Sequence, residues 1–192
     1  MEKRSPGEWA VVASLSGDAR QVAADVSDAR SFAEKLSRTH HEDAVRFLAH
    51  LLPNRESVLW AWSCAKSILP ANASPALRAS LATTEKWIAQ PSDEHRRAAM
   101  SAAQEAQVGT PVGAAGLAAF LSGESLAPAG ANPITPAEHL ACKAVAASIM
   151  LSAVSSEPEK APAKYRDFLM RGFELAQRIQ LWESTAALIG TE

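Results

Sequence analysis

Apolar residues recur along this chain at the three- and four-residue spacing of amphipathic helices, and prolines or Ser/Thr/Asn-Pro pairs separate the segments. This spacing places apolar side chains on one face of a helix. No segment shows the alternation of apolar and polar residues that is typical of a strand. We therefore expect an all-α, single-domain bundle of about seven helices, arranged as two layers or as an irregular repeat-like array.

The strength of the pattern divides the chain into three parts. Residues 1–17 have no clear period, which predicts a loose N-terminal arm. The helical domain covers 18–182, beginning with one amphipathic helix over Asp18–Leu36 and ending with a long helix over about 159–182. Residues 183–192 are expected to form a C-terminal tail.

Short polar residues mark the expected starts of several helices. A Ser, Thr or Asn side chain at this position accepts a hydrogen bond from a free backbone N–H of the first turn, and a proline fits directly after it. The predicted capping residues are Asn54, Ser74, Ser92, Thr110 and Thr135.

Two segments, 54–69 and 136–154, are apolar on nearly every side. Helices of this kind lie in the middle of a bundle, because no face of them prefers water. We expect the two helices to form the core, with six nearly inaccessible side chains: Val58, Trp62, Ala65, Leu69, Val145 and Ile149.

The charge balance argues against nucleic acid as a partner. Lys and Arg together number 19 and Asp and Glu 21, for a net charge of −2, and the basic residues are scattered among acidic ones. A nucleic-acid-binding surface requires a concentrated basic patch.

No segment suggests a targeting sequence or a membrane span. The longest apolar stretch, 140–154, is too short and too weakly hydrophobic to cross a bilayer. Cys64 and Cys142 each lie within a helical pattern, and we expect buried free thiols, which fit a reducing compartment. The sequence therefore favours a cytoplasmic protein.

No motif predicts catalysis, a cofactor or a metal. His40-His41-Glu42-Asp43 contains metal-binding residue types, but consecutive residues point in different directions on a helix. His139 and Cys142 are three residues apart and could share a face, yet a zinc site needs further ligands. We expect no enzymatic activity and no bound cofactor or metal.

One connection, 122–132, has neither helical nor strand pattern. Loops of this length are uncommon in compact domains and are often functional or mobile. The alternative is a packed crossover in which Leu126 and Pro128 lie against the core.

Arginine and tryptophan are the residue types that most often anchor protein interfaces. The candidate partner-binding residues are Arg55, Trp60, Arg96, Arg97 and Leu126. In the alternative interpretation, Trp60 and Trp62 fill two sides of a central helix, and the arginines are solvated or paired with Glu56, Asp93 and Glu94.

Several short motifs together resemble an uncharacterised family of small all-helical bacterial proteins. They are Leu52-Pro53, Arg55-Glu56-x-Val58-x-Trp60-Ala61, Cys64-Ala65, Trp87, Pro91, Arg96-Arg97-Ala98-Ala99, Gly109-Thr110-Pro111, Ala118-Ala119-Phe120, Ser122-Gly123, Ser125-Leu126-Ala127-Pro128, Tyr165, Phe168-Leu169 and Gly172. The resemblance covers roughly residues 47–176. It implies an association with type VI secretion gene clusters, and hence an accessory or adaptor role, and it transfers no functional residue.

These patterns leave two hypotheses about function. The first is a non-enzymatic adaptor, accessory or chaperone protein that binds a protein partner such as a secretion-system component or effector. The second is a small-molecule-binding or enzymatic bundle with a site between the two central helices.

Overall fold

The computed structural model describes residues 4–128 and 130–186 of the chain, and this described part contains eleven α-helices, one 3-10 helix and no strand. The all-α class predicted from the periodicity is confirmed. The described residues fall into two compact units. Unit 1 contains the residues up to Leu52 and from Ala161 onward, and unit 2 is Pro53–Lys160.

Six helices form unit 1 and five form unit 2. Unit 1 contains α1 (Pro6–Val12), α2 (Gly17–Ala24), α3 (Ala29–Thr39), α4 (His41–Leu51), α10 (Ala161–Arg178) and α11 (Leu181–Ala186). Unit 2 contains α5 (Asn54–Ser67), α6 (Pro75–Ala89), α7 (Asp93–Glu105), α8 (Pro111–Leu121) and α9 (Leu140–Val154), followed by the 3-10 helix Pro158–Lys160.

The N-terminal arm predicted over 1–17 is wrong, because α1 and its flanking residues pack into unit 1. The Ser5 hydroxyl accepts from the Glu8 backbone N–H and the Glu8 carboxylate accepts from the Ser5 N–H, a reciprocal cap that starts the helix. Trp9 is buried with its ring 6.4 Å from that of Phe47. A helix of 7 residues, about two turns, is too short to show a period in the sequence.

The single helix predicted over Asp18–Leu36 is also wrong, since the chain breaks between α2 and α3. The Asp28 carboxylate accepts from the Ser31 N–H and starts α3 afresh. This bond also lowers the pKa of Asp28. A short acidic side chain competes with the helix for backbone donors in this way, although the apolar stripe continues across the break.

The C-terminal helix is interrupted as well. Where one helix was expected over 159–182, α10 ends at Arg178 and α11 starts at Leu181. Gln180 between them has a φ of 54°, a left-handed conformation that ends a helix. Most of the predicted tail, from residue 187 onward, lies outside the described residues.

Within unit 2, α8 contacts all four of the other α-helices and so shares the centre with α5 and α9. Its residues are small, and neighbouring backbone comes very close to it. A Cβ on Gly116 would lie 3.0 Å from the Ala103 Cβ and 3.1 Å from the Ala99 carbonyl oxygen of α7. Small side chains thus let α8 occupy a central position that hydrophobicity alone did not predict.

The core prediction for unit 2 was right for four of six side chains. Val58, Ala65, Val145 and Ile149 are buried, whereas Trp62 and Leu69 are only half-buried. Trp60, which is 1% exposed, takes the central position instead.

Trp62 lies at the edge of α5. Its indole N–H donates to the Leu81 carbonyl at 3.0 Å, and the Lys66 ammonium lies 4.4 Å from its ring centre. These contacts with a polar group and a charge are those of an amphipathic side chain at the boundary with solvent.

Three of the five predicted helix caps are confirmed. Ser74, Ser92 and Thr110 each accept a first-turn backbone N–H. Asn54 instead lies inside α5, which Pro53 precedes without a side-chain cap. Thr135 is not a cap either, because α9 starts only at Leu140.

No single described helix is both long and apolar enough to cross a membrane. Only the consecutive helices Leu140–Val154 and Pro158–Arg178, taken together, meet that requirement by length and composition.

Candidate functional site

The loop that connects α8 to α9 in unit 2 folds back on itself and is held by its own hydrogen bonds. The Leu126 N–H donates to the Ile134 carbonyl at 2.7 Å, and the Ser125 hydroxyl accepts from the backbone N–H groups of Ile134 (3.0 Å) and Ala127 (3.1 Å). Ala127 is buried, while Pro128 is exposed. The packed-crossover interpretation is therefore right about an anchored loop but wrong about Pro128.

Arg96 of α7 ties this loop to the helices. Its side chain is 5% exposed, and one terminal nitrogen donates to the Phe120 carbonyl at 2.9 Å. The other donates to the Ser125 carbonyl at 2.8 Å and to the Asp93 carboxylate. A single buried guanidinium thus joins the start of α7, the last turn of α8 and the loop.

Gly123 makes room for this guanidinium. A Cβ at this position would lie 2.3 Å from the Arg96 Nε and 2.5 Å from its Cδ. The aromatic ring of Phe120 lies on another side, 4.9 Å from the Arg96 Cζ. The side chain of Arg96 is therefore enclosed as well as hydrogen-bonded, and its position is fixed.

Asp93 links Arg96 to Arg97. One carboxylate oxygen of Asp93 accepts from Arg96, and the other accepts from the Arg97 Nε at 2.6 Å. The bonds from Arg97 and then Arg96 lower the pKa of Asp93 below its ordinary value, which keeps it ionised. The interpretation that these arginines pair with Asp93 is correct.

Asp93, Arg96 and Arg97 at the start of α7 form one wall of an open groove of about 600 Å³ in unit 2. Backbone and short side chains of the loop form the other wall, and prolines occur on both sides. The groove is lined by Trp87, Pro91, Ser92, Asp93, Arg96, Arg97, Ser122, Gly123, Glu124, Ser125, Ala127, Pro128, Gly130, Ala131 and Pro133.

Of the five candidate partner-binding residues, the structure brings only Arg96 and Arg97 to this groove. Trp60 is in the core, so its expected exposure is wrong, and Arg96 is buried rather than exposed. Both errors came from reading residue type without knowing which face of the helix is covered. Arg55 is exposed elsewhere on unit 2 and donates to the Ile88 carbonyl at 2.7 Å, while Leu126 is half-buried.

Sequence reasoning missed several residues of the groove. Asp93 was weighed only as a partner that neutralises the arginines, yet it orients both of them. Trp87 and Pro91 were not among the five candidate partner-binding residues. The available signals were a proline shortly after a tryptophan-containing helix, and a capped helix start with acidic residues. Neither signal shows that the long loop returns to the start of α7.

A second cavity of unit 2, about 240 Å³, lies at the start of α9. His139 and Cys142 line it, so the expected shared face exists. Burial raises the pKa of the Cys142 thiol, which favours the neutral form over a nucleophilic thiolate. Cys64 and Cys142 are both buried free thiols, as predicted.

The residues His40–Asp43 at the start of α4 in unit 1 point to different surroundings. The His41 ring is stacked on that of Tyr165 in α10, parallel to within 1° and 5.9 Å between centres. Asp43 is buried and accepts from both the backbone N–H and the hydroxyl of Ser16. These contacts fasten α4 to α10 and to the start of α2.

The family comparison covers the groove and most of the helices. A model described as "Family of unknown function (DUF6931)" matches residues 31–176. The chain belongs to this family. The match includes α3 and α4, which the resemblance over 47–176 had left largely outside, and no curated protein and no solved structure matches the chain.

Proposed function

We propose that this DUF6931 protein is a non-enzymatic accessory or adaptor that binds a segment of another protein in the groove of unit 2. The observation that carries the proposal is that Arg96, in the wall formed by α7, fixes the loop that forms the opposite wall through its bond to the Ser125 carbonyl. Arg96 also bonds to the Phe120 carbonyl at the end of α8, so the groove has a fixed shape. A site that is already formed loses less conformational freedom on binding.

The lining of the groove suits an extended peptide. Pro91, Pro128 and Pro133 give it stiff apolar surfaces, and the small side chains of Ala127 and Ala131 leave room between them. Ile134, next to Pro133, is among the most exposed large apolar side chains described. Exposed apolar residues beside a groove that contains both apolar and charged side chains are typical of a protein-binding surface.

The proposed biological setting is the bacterial cytoplasm and type VI secretion. The two buried free thiols support the cytoplasm, and the resemblance alone supports the link to secretion. A survey of the genes that flank members of the family tests it: recurrent secretion-system genes would support the link, and random neighbours would contradict it.

Site-specific photo-crosslinking tests the binding site directly. A photoreactive amino acid replaces Ala131 inside the groove or, as a control, Val108, an exposed side chain of unit 2 that does not line it. After irradiation of the native cells, we expect a discrete crosslinked protein from position 131 and none from position 108. Crosslinking only at position 108, or at neither position, would contradict the proposal.

The competing hypothesis, a small-molecule site between the two central helices, stays a prediction. It is tested by mass spectrometry of metals and metabolites that copurify with the protein.

A further inference from the structure

We propose that the bound segment carries an Asp or Glu side chain that pairs with Arg97. This inference rests on the proposed function of the groove and adds the chemistry of its partner.

Arg97 is oriented so that its terminal nitrogens face no acceptor in the described part of the chain. Its Nε donates to Asp93, but neither terminal nitrogen has a hydrogen-bond acceptor among the described residues. The side chain is 28% exposed and lines the groove. An arginine in this state offers the two parallel donors of its guanidinium edge, which match the two oxygens of a carboxylate.

Contacts inside unit 2 impose this orientation of Arg97. Arg96 is fixed by the Phe120 and Ser125 carbonyls, Asp93 is fixed by Arg96, and Arg97 is held by the second oxygen of Asp93. The guanidinium of Arg97 is therefore positioned before a partner arrives, and less side-chain freedom is lost when a carboxylate binds.

Local charge also favours a carboxylate at Arg97. Arg96, Asp93 and Arg97 together carry a net charge of about +1, and both Asp93 oxygens are already used. Glu124, also in the lining, is exposed and has no hydrogen-bond or ion-pair partner among the described residues. With Glu124 counted, the lining is close to neutral, so it accommodates one carboxylate in contact with Arg97 and would repel a second acidic residue.

These features define the partner segment. It contains one acidic residue rather than an acidic run, and small apolar residues or prolines next to it that fit beside Pro91, Ala127 and Ala131. The carboxylate that we infer belongs to an Asp or Glu side chain within the segment.

Peptide selection tests the inference. Random dodecapeptides displayed on phage, joined to the coat protein through their C-terminal ends, are selected on the full-length protein, and enriched sequences are synthesised. The substitution Ala131→Trp in this protein places a large ring in the groove. Only peptides whose binding this substitution weakens are analysed further. We expect one position enriched in Asp or Glu.

Binding of a selected peptide is then measured with matched variants. Replacing its acidic residue by the amide should weaken binding about tenfold or more, and Arg97→Gln should weaken the parent peptide by a similar factor. The two changes together should cost no more than either one alone. Arg55→Gln, an exposed arginine outside the groove, should leave binding unchanged.

The failures are distinguishable. Groove-binding peptides that lack an acidic position, or that are insensitive to Arg97→Gln, would overturn the inference and leave the proposed function standing. If no selected peptide is sensitive to Ala131→Trp, the proposed function and the inference both fail.

Circular dichroism of Arg97→Gln should match the wild type, since the only described bond of Arg97 is to an exposed carboxylate.

Discussion

At the scale of single residues, Arg96 and Arg97 are neighbours on α7 but have different surroundings and different roles. Arg96 is buried and bonds to two backbone carbonyls in other elements, whereas Arg97 bonds only to the exposed Asp93 of its own helix. The first is part of the structure of unit 2. The second is available to a partner.

This difference predicts unequal effects on stability. Arg96→Ala should lower the free energy of unfolding by about 2–4 kcal/mol, because it removes a buried side chain and its bonds to the Phe120 and Ser125 carbonyls, which tie the loop to α7. Arg97→Ala should cost about 0.5 kcal/mol or less, as for other exposed ion pairs. Urea denaturation of both variants measures the difference. Equally small losses would show that Arg96 does not hold the loop.

The two tryptophans of α5 provide a second comparison. Trp60→Ala should cost about 3–5 kcal/mol, because the residue is almost completely buried. Trp62→Ala removes a half-buried ring and one hydrogen bond to Leu81, and should cost about 1–2 kcal/mol. Chemical denaturation followed by circular dichroism checks the order. A larger loss for Trp62 would restore the core assignment expected from the sequence.

At the scale of elements, the loop between α8 and α9 depends on the absence of a side chain at Gly123. Gly123→Ala would push a Cβ into the Arg96 guanidinium and displace it from Ser125. We expect a loss of about 1–3 kcal/mol and faster hydrogen exchange at the Leu126, Ala127 and Ile134 amides.

Gly109→Ala is the matched control for this prediction. Gly109 is also a loop glycine of unit 2, but no atom lies within 4 Å of the position its Cβ would take. Its stability and its loop exchange should stay close to wild type. A Gly123→Ala variant with the same properties would mean that Arg96 can move aside without cost.

The elements were predictable where local chemistry decides them. Ser74, Ser92 and Thr110 cap helices through their own side chains, so the starts of α6, α7 and α8 could be identified. The break before Ala29 was not predictable from the apolar stripe, because one aspartate interrupts the helix while the apolar stripe continues across the break. The late start of α9 depends on His139, which adopts a φ of 64°.

The candidate site was predictable only in part for a related reason. Residue type singled out Arg96 and Arg97, and length singled out the loop. Which arginine is buried depends on the loop returning to the start of α7, a tertiary contact between residues 29 positions apart. Nothing local to either segment encodes that contact.

At the scale of the whole molecule, the pH dependence of stability should come partly from unit 1. The His41 Nε2 is buried without a hydrogen-bond partner among the described residues. Burial, then Arg166 and His40, lower the pKa of His41 below 6.5, while burial and Glu42 raise the pKa of the adjacent Tyr165 to about 12. The unfolded chain therefore binds a proton at His41 more readily than the folded one.

The sign of the effect follows from this difference. The contribution of His41 to stability is fully present above about pH 6.5 and is lost as the pH falls through its lowered folded-state pKa. His41→Phe keeps a ring against Tyr165 but cannot be protonated. Its melting temperature should fall less than that of the wild type between pH 7 and pH 5, with His95→Gln in unit 2 as the control. An equal or steeper fall would contradict the assignment.

The central claim is that the groove between the start of α7 and the loop binds a protein segment. It is tested most directly by hydrogen exchange of the full-length protein with and without a saturating selected peptide. The account predicts slower exchange in residues 91–97 and 122–134, and unchanged exchange in α1 and α2 of unit 1. Protection confined to unit 1, or no change at the groove while the peptide is bound, would contradict it.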